Sequence, residues 1–144
     1  CQPLPLVLVD RPGGTYWKTW DRYVKDHLLR NKLISREDLN LYQMTDDAGA
    51  AVNQITRFYR NYHSCRWVKN RLVIRLQNRP SRSAVRALNE DFSDIVKGAK
   101  FSAIRPTSEE VADEDELELP RLAFGFDKKS YGRLRKLIDV LNRL

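Results

Sequence analysis

A continuous apolar run, Pro5-Leu6-Val7-Leu8-Val9, closes on Asp10 and the turn residues Pro12-Gly13-Gly14. Apolar residues without alternation mark a strand covered on both faces, as in a parallel sheet. From Thr15 to Asn31 the period changes. Trp17, Trp20, Val24 and Leu28 recur at spacings of three and four, with Lys18, Asp21, Arg22, Lys25 and Asp26 mostly off that stripe. This predicts an amphipathic helix with both tryptophans in its core-facing stripe. Ser35-Arg36-Glu37-Asp38 can form a local cap, and Leu39 to Met44 predicts a second short strand. Thr45-Asp46-Asp47 supplies the oxygens and negative charge that satisfy a helix's first free amides. The helix it opens carries Ala48, Val52, Ile55, Tyr59 and Tyr62 on one side. The order βαβα implies a parallel sheet with right-handed crossovers. Two parallel strands cannot cover both faces of their own sheet. These residues are therefore expected to form the edge of a larger sheet, or to lean on the second half or on another chain.

Beyond a hinge expected near His63 to Asn70 the rhythm changes. Leu72, Ile74 and Leu76 alternate with Val73 and Arg75, which predicts a half-buried strand. Ser81 or Ser83 can cap a helix bearing Val85, Leu88, Phe92 and Ile95, with Gly98 as a left-handed stop. Phe101 to Ile104 predicts a strand, the acidic stretch after Pro106 a mobile surface loop, and Leu122, Phe124 and Phe126 a further strand. Ser130 then caps a helix with Leu134, Leu137, Ile138 and Leu141 inward. The order βαββα predicts a small α+β layer with helices on one face of a mainly antiparallel sheet. The chain thus divides into residues 1–65 and 66–144.

A chain of 144 residues with 42% apolar content can bury one ordinary core or two small ones. It has no apolar run long enough to span a bilayer. Its start lacks the basic region and cleavage signal of a secretory address, so a cytoplasmic location is expected. Without an initiator Met, a fragment or a processed product is expected. Two cysteines, Cys1 and Cys65, and two histidines, His27 and His63, give no metal-binding spacing and no structural metal or cofactor is expected. The net charge of +7 is unevenly spread. Ala48 to Asn89 holds no acid but nine basic residues from Arg57 to Arg86, whereas Glu109 to Glu118 is strongly acidic. Blocks of opposite sign point to complementarity within the chain or between subunits as readily as to an external polyanion.

The run Pro5 to Asp10, the glycine turn bearing Tyr16, Leu33-Ile34-Ser35 and the Met44-Thr45-Asp46-Asp47 turn together resemble the closing βαβα of Lonely-Guy proteins, often labelled lysine decarboxylase-like. The chain as a whole, including Arg57-Phe58-Tyr59-Arg60-Asn61-Tyr62-His63-Ser64, resembles the tail of the longer bacterial members, which carry an added C-terminal α+β region. The resemblance implies the closing part of a Rossmann-like, nucleotide-binding domain. It also implies a parent protein that hydrolyses the N-glycosidic bond of nucleoside 5′-monophosphates. The family's Pro-Gly-Gly-x-Gly-Thr-x-x-Glu signature is absent. Pro12-Gly13-Gly14 is followed by Tyr16 where glycine is required, Trp17 in place of threonine and Trp20 in place of the glutamate. No catalytic residue is assigned to this chain, and hydrolase activity is expected only of a parent whose catalytic half precedes it.

The turn at the carboxyl end of the first strand is the ligand side of an open α/β sheet. Asp10, Gly13, Gly14, Thr15 and Tyr16 are the candidate ligand-binding residues. Free amides there would suit phosphate or ribose, against the plainer reading of a structural turn in which Asp10 is a cap. His27 is expected to pack structurally, and His63 beside Ser64 has no nearby carboxylate to orient it. The expected partners are a nucleoside monophosphate, through the parent, and a second copy or the preceding half. Two alternatives remain: a regulatory small-molecule-binding α+β module, and an RNA-binding module using residues 57–86, although nucleic acid is not the favoured partner.

Overall fold

The computed structural model describes residues 2–144. Along the chain lie β1 (Leu6–Val9), α1 (Tyr16–Tyr23), a π-helical continuation (Val24–Leu29), a 3-10 helix (Arg36–Leu41), β2 (Tyr42–Thr45) and α2 (Ala48–Phe58). They are followed by β3 (Tyr62–Val68), β4 (Arg71–Leu76), α3 (Arg82–Asp91), β5 (Ser102–Ile104), α4 (Ser108–Ala112), β6 (Arg121–Phe124) and α5 (Tyr131–Leu141). The protein is mixed α/β with two sheets. β1 and β2 pair in parallel, Leu6 opposite Tyr42 and Val9 opposite Thr45. The other four strands form an antiparallel sheet in the order β3-β4-β6-β5.

The antiparallel sheet is covered on both faces. Leu72, Ile74 and Leu76 of β4 join Leu122 and Phe124 of β6 under Leu88, Leu134, Leu137, Ile138 and Leu141 from α3 and α5. A β-bulge shifts the register between Tyr62 and Ser64, and Tyr62 and Cys65 both belong to this core. On the opposite face Val73 and Ala123 pack with Val68. Beside them the acidic segment folds down as α4, capped by Thr107 in a reciprocal box with Glu110. Glu110 is fully buried, and its carboxylate draws Arg75 of β4 and Arg121 of β6 together. Oε1 accepts from Arg75 Nε at 3.1 Å and Nη2 at 2.9 Å, and Oε2 accepts from Arg121 Nε at 3.1 Å and from the Thr107 amide at 3.1 Å. Arg121, 1% exposed, spends its remaining donors on the carbonyls of Asp115, Glu116, Leu117 and Leu119. Arg66 reaches Asp113 and Asp115, and Lys69 reaches Glu109.

Several expectations therefore change. The acidic stretch is an ordered cover, because two buried guanidinium groups need its carboxylates and carbonyls. Arg75 points into the protein, so β4 is buried on both faces. Residues 62–68 are a core strand where a hinge was expected, and residue 65 lies inside it. The second half gains β3 and α4 over the expected βαββα. The opposite-sign blocks do pair within the chain. Gly98 has φ +90°, as a left-handed stop requires, but one 3-10 turn beyond the end of α3. Ser130 stands at the N-cap of α5 but makes no side-chain cap bond, and Asp127 accepts from the Lys129 and Ser130 amides in the turn before the helix.

Besides Phe58, Tyr62 and Cys65 in the shared core, α5 ties the first half to the second at both of its ends. Gly132 of α5 lies against the Glu37 carbonyl so closely that a Cβ would overlap it. At the other end of α5, Asn142 Oδ1 accepts from the Asn61 and Tyr62 amides, both at 2.8 Å, and Nδ2 donates to the Phe58 carbonyl at 2.6 Å. This single side chain fixes where α2 ends and β3 begins.

The first half is otherwise poorly covered. Leu6 and Val9 at the ends of β1 are 51% and 45% exposed, so that strand is not buried on both faces. Of the expected stripe along α1 only Val24 is buried; Trp20 is 38% exposed. Val52, Ile55 and Tyr59 of the α2 stripe are also exposed, whereas Ala51 and Phe58 face inward. The chain shows 9333 Å² to solvent, against roughly 7,700 Å² for a compact monomer of its mass.

Glu110→Gln should destabilise the fold by about 3–5 kcal/mol in urea melts, because it removes the carboxylate two buried guanidinium groups share, leaving Arg121 with no acid partner and Arg75 with Asp115 alone. Burial would push the Glu110 carboxyl up, but the Thr107 amide, Arg75 and Arg121 outweigh it and hold it low; Asp115 is held low against burial by Arg66 and Arg75. Their contribution is therefore complete above the ordinary carboxylate range and lost as pH falls through the depressed folded values. The wild type should keep its stability down to about pH 4 and lose it steeply below, and Glu110→Gln should flatten that acid limb. Asn142→Ala, which strips three hydrogen bonds and leaves two amides unpaired, should cost roughly 3 kcal/mol in the same melts.

Candidate functional site

Because β1 and β2 run in parallel, their carboxyl ends, Val9 and Thr45, finish side by side, and the Asp10 amide donates to the Thr45 carbonyl at 2.9 Å. The chain then doubles back through Pro12-Gly13-Gly14. Gly13 takes φ +71°, and the Asp10 carboxylate occupies the space a Cβ at Gly14 would fill. That close approach explains the glycine pair. Asp10 Oδ2 accepts from the Tyr16 amide at 2.9 Å and, more weakly, from Trp17 at 3.4 Å, and Oδ1 accepts from Arg11 at 2.9 Å. Asp10 thus acts as the cap of α1. From the second strand Asp46 accepts from the Gly13 amide at 3.0 Å. That amide, followed by Asp46's own, holds the Asp46 carboxyl below its ordinary range. Asp47 caps α2 by accepting from the Ala50 amide.

Above this turn lies a cavity of about 520 Å³ lined by residues including Asp10, Arg11, Thr15, Tyr16, Trp20 and Tyr23. Of the candidate residues, Asp10, Thr15 and Tyr16 face it, while Gly13 and Gly14 shape the turn behind. The Gly14 amide donates to the Arg11 carbonyl at 2.8 Å. With Gly13 and Tyr16 also engaged, these three amides are committed to the protein itself. The side chains lining the cavity are a carboxylate, a guanidinium, two threonine hydroxyls and three aromatic rings. Tyr16 is 70% and Tyr23 55% exposed. Tyr16 sits edge-on to Trp17 and Trp17 to Trp20, with centroids 4.9 and 6.1 Å apart. The Trp17 indole donates to the Val9 carbonyl at 3.0 Å, and Tyr42 donates to Asp21 at 2.7 Å. These bonds hold α1 over the strand ends.

Arg11, Trp20 and Tyr23 were not singled out as site residues from sequence. The signal was there: Tyr16, Trp20 and Tyr23 recur at spacings of four and three, a second aromatic stripe beside the one read as core. His27 is exposed and tilted against Tyr23, 4.7 Å between ring centres, so it is not packed in the interior. His63 Nδ1 lies 3.0 Å from Ser64 Oγ. That oxygen also accepts from Arg75 Nη1 at 3.2 Å. Burial pushes the free Cys65 thiol up; Cys1 lies outside the described residues. Among the described residues no group of three or more His, Cys, Asp or Glu is placed to hold a metal ion, and no helix is long and apolar enough to cross a membrane.

No family model matches the chain, and neither the curated proteins nor the solved structures include a significant match.

Proposed function

We propose that this chain is a nucleotide-binding part of a Lonely-Guy-like protein, and that its parent hydrolyses the N-glycosidic bond of nucleoside 5′-monophosphates. The observation that carries the reading is the cavity at the paired carboxyl ends of β1 and β2. A carboxylate (Asp10), a guanidinium (Arg11) and an aromatic wall (Tyr16, Trp20, Tyr23) converge there. These are the three chemistries a nucleoside monophosphate requires: an acceptor for ribose hydroxyls, a cation for phosphate and a ring face for the base. The position also matches the ligand side of open α/β sheets. Within this reading the chain contributes binding alone. Asp10, held by the α1 amides, has lone pairs left only to accept a hydroxyl, and no second carboxylate lines the cavity to share acid–base chemistry. The open edges of the β1–β2 sheet are where further strands, with the catalytic glutamate of the family signature, would pair. Exposed Val52, Ile55 and Tyr59 on α2 suit an association with a second copy or with the rest of the parent.

The RNA reading draws less support from the geometry. Arg66, Lys69 and Arg75 are neutralised by Glu109, Glu110, Asp113 and Asp115, and Arg71 is bonded to Ser102. Residues 57–86 do not present their charges as one stripe.

Titration with AMP, read by tryptophan fluorescence, tests the nucleotide reading. Saturable quenching is expected through Trp20, and Tyr16→Ala should weaken it by roughly tenfold, a typical loss for one stacking ring, with no change in melting temperature. An emission spectrum unaltered up to millimolar AMP would contradict the proposal.

A further inference from the structure

A second cavity lies away from the strand ends, at the seam where α2 meets α5. It measures about 360 Å³ and is lined by Gln43, Gln54, Arg57, Phe58, Arg60, Arg135, Asp139, Asn142 and Arg143. Four of these residues are arginines and one is an acid. The deepest, Arg135, has a side chain only 9% exposed. Its guanidinium is held on two sides: Nε donates to Asp139 Oδ1 at 3.2 Å, and the group stacks over the Phe58 ring at 4.8 Å. Its Nη1 is shielded from solvent and has no hydrogen-bond partner. In the same wall Gln54 Oε1 is also buried and unpartnered. Buried donors are ordinarily satisfied, and a charged one most of all. Asn142, by contrast, has its side-chain oxygen and nitrogen fully engaged with α2 and β3. Asn142 thus holds the wall of the cavity in place, while its innermost cation and amide are buried without hydrogen-bond partners.

We propose that this seam is a binding site for a small phosphate-bearing anion, an effector site separate from the Asp10 cavity. Arg135, whose buried Nη1 lacks a partner, would turn its guanidinium into the cavity to take a phosphate oxygen at the bottom. Exposed Arg57, Arg60 and Arg143 would close on the remaining oxygens, since guanidinium groups bind phosphate through paired, charge-assisted hydrogen bonds. Gln54 Oε1 requires a donor, which selects an anion that also carries a hydroxyl or amino group. One Asp139 carboxylate against four guanidinium groups leaves the site strongly cationic. The volume lies within the range of small-molecule sites. Because Arg135, Asp139, Asn142 and Arg143 belong to the second half and Gln43, Gln54, Arg57 and Arg60 to the first, a bound anion would stiffen the contact between them. This inference does not depend on the nucleotide reading of the Asp10 cavity.

The test is a titration of the 144-residue chain with inorganic pyrophosphate, followed by calorimetry and amide-resolved NMR. Saturable binding is expected, with shifts centred on Arg57 to Arg60 and Asn142 and on the Arg135 side-chain Nε. The double variant Arg57→Ser/Arg60→Ser alters only exposed side chains and should weaken binding by roughly tenfold or more with the melting temperature unchanged. Glucose 6-phosphate, which adds hydroxyl donors, should bind more tightly than inorganic phosphate. Non-saturating shifts, binding indifferent to the double variant, or shifts confined to Asp10–Tyr16 would each overturn the effector site. The last of these would leave the nucleotide reading standing, and a failed AMP titration would leave this one untouched.

Discussion

A sheet of two parallel strands has two open edges and too little width to hide its own side chains. β1 and β2 are such a sheet, and the rest of the first half follows from that constraint. α1 lies over the strand ends, anchored chiefly by polar bonds, Trp17 to the Val9 carbonyl and Tyr42 to Asp21. The apolar residues that should seal a parallel sheet remain exposed at both ends of β1 and along α2. On the proposed reading, more strands alongside would complete this unit, and its polar turn at the carboxyl ends would form one wall of a wider crevice.

The second half solves the same problem within the chain. Its central strands carry apolar side chains toward α3 and α5 and two arginines toward the other face. A buried guanidinium without a partner would cost several kcal/mol, so the acidic segment is drawn down onto the sheet. Glu110 serves both arginines at once, and Arg121 in turn gathers four carbonyls of the segment that follows α4. The acidic block and Arg66, Lys69 and Arg75 of the basic block are the two sides of one contact within the chain. Of the arginines outside this pairing, Arg57 and Arg60, with Arg143 just beyond α5, collect at the seam around Arg135.

Much of this architecture was legible in the residues. The unbroken run Pro5 to Val9, the Thr45-Asp46-Asp47 start and the 3.6-residue stripe Leu134 to Leu141 locate β1, α2 and α5, and Asp10, a candidate ligand residue from sequence, also fills the plainer alternative of a cap to α1. The errors have one physical source: short-range patterns do not say what lies opposite. Tyr62 to Val68 mixes polar and apolar residues because a bulge breaks the alternation, so β3 was read as a hinge. Arg75 looked solvent-bound because its partner, Glu110, lies thirty-five residues away. Trp17 and Trp20 were read as core because the stripe is apolar, but the surface that would cover them is not formed by these residues. Asn142 and the seam cavity left no local pattern at all, since their meaning comes from residues eighty positions distant.

Hydrogen exchange on the 144-residue chain tests most directly whether the first sheet is self-sufficient. If β1 and β2 need added strands, the amides of Leu6–Val9 and Tyr42–Thr45 should be roughly a hundredfold less protected than those of Ile74 and Leu122, opening well below the global unfolding energy. Equal protection in both sheets, with all strands exchanging in one cooperative step from a monomer, would contradict it.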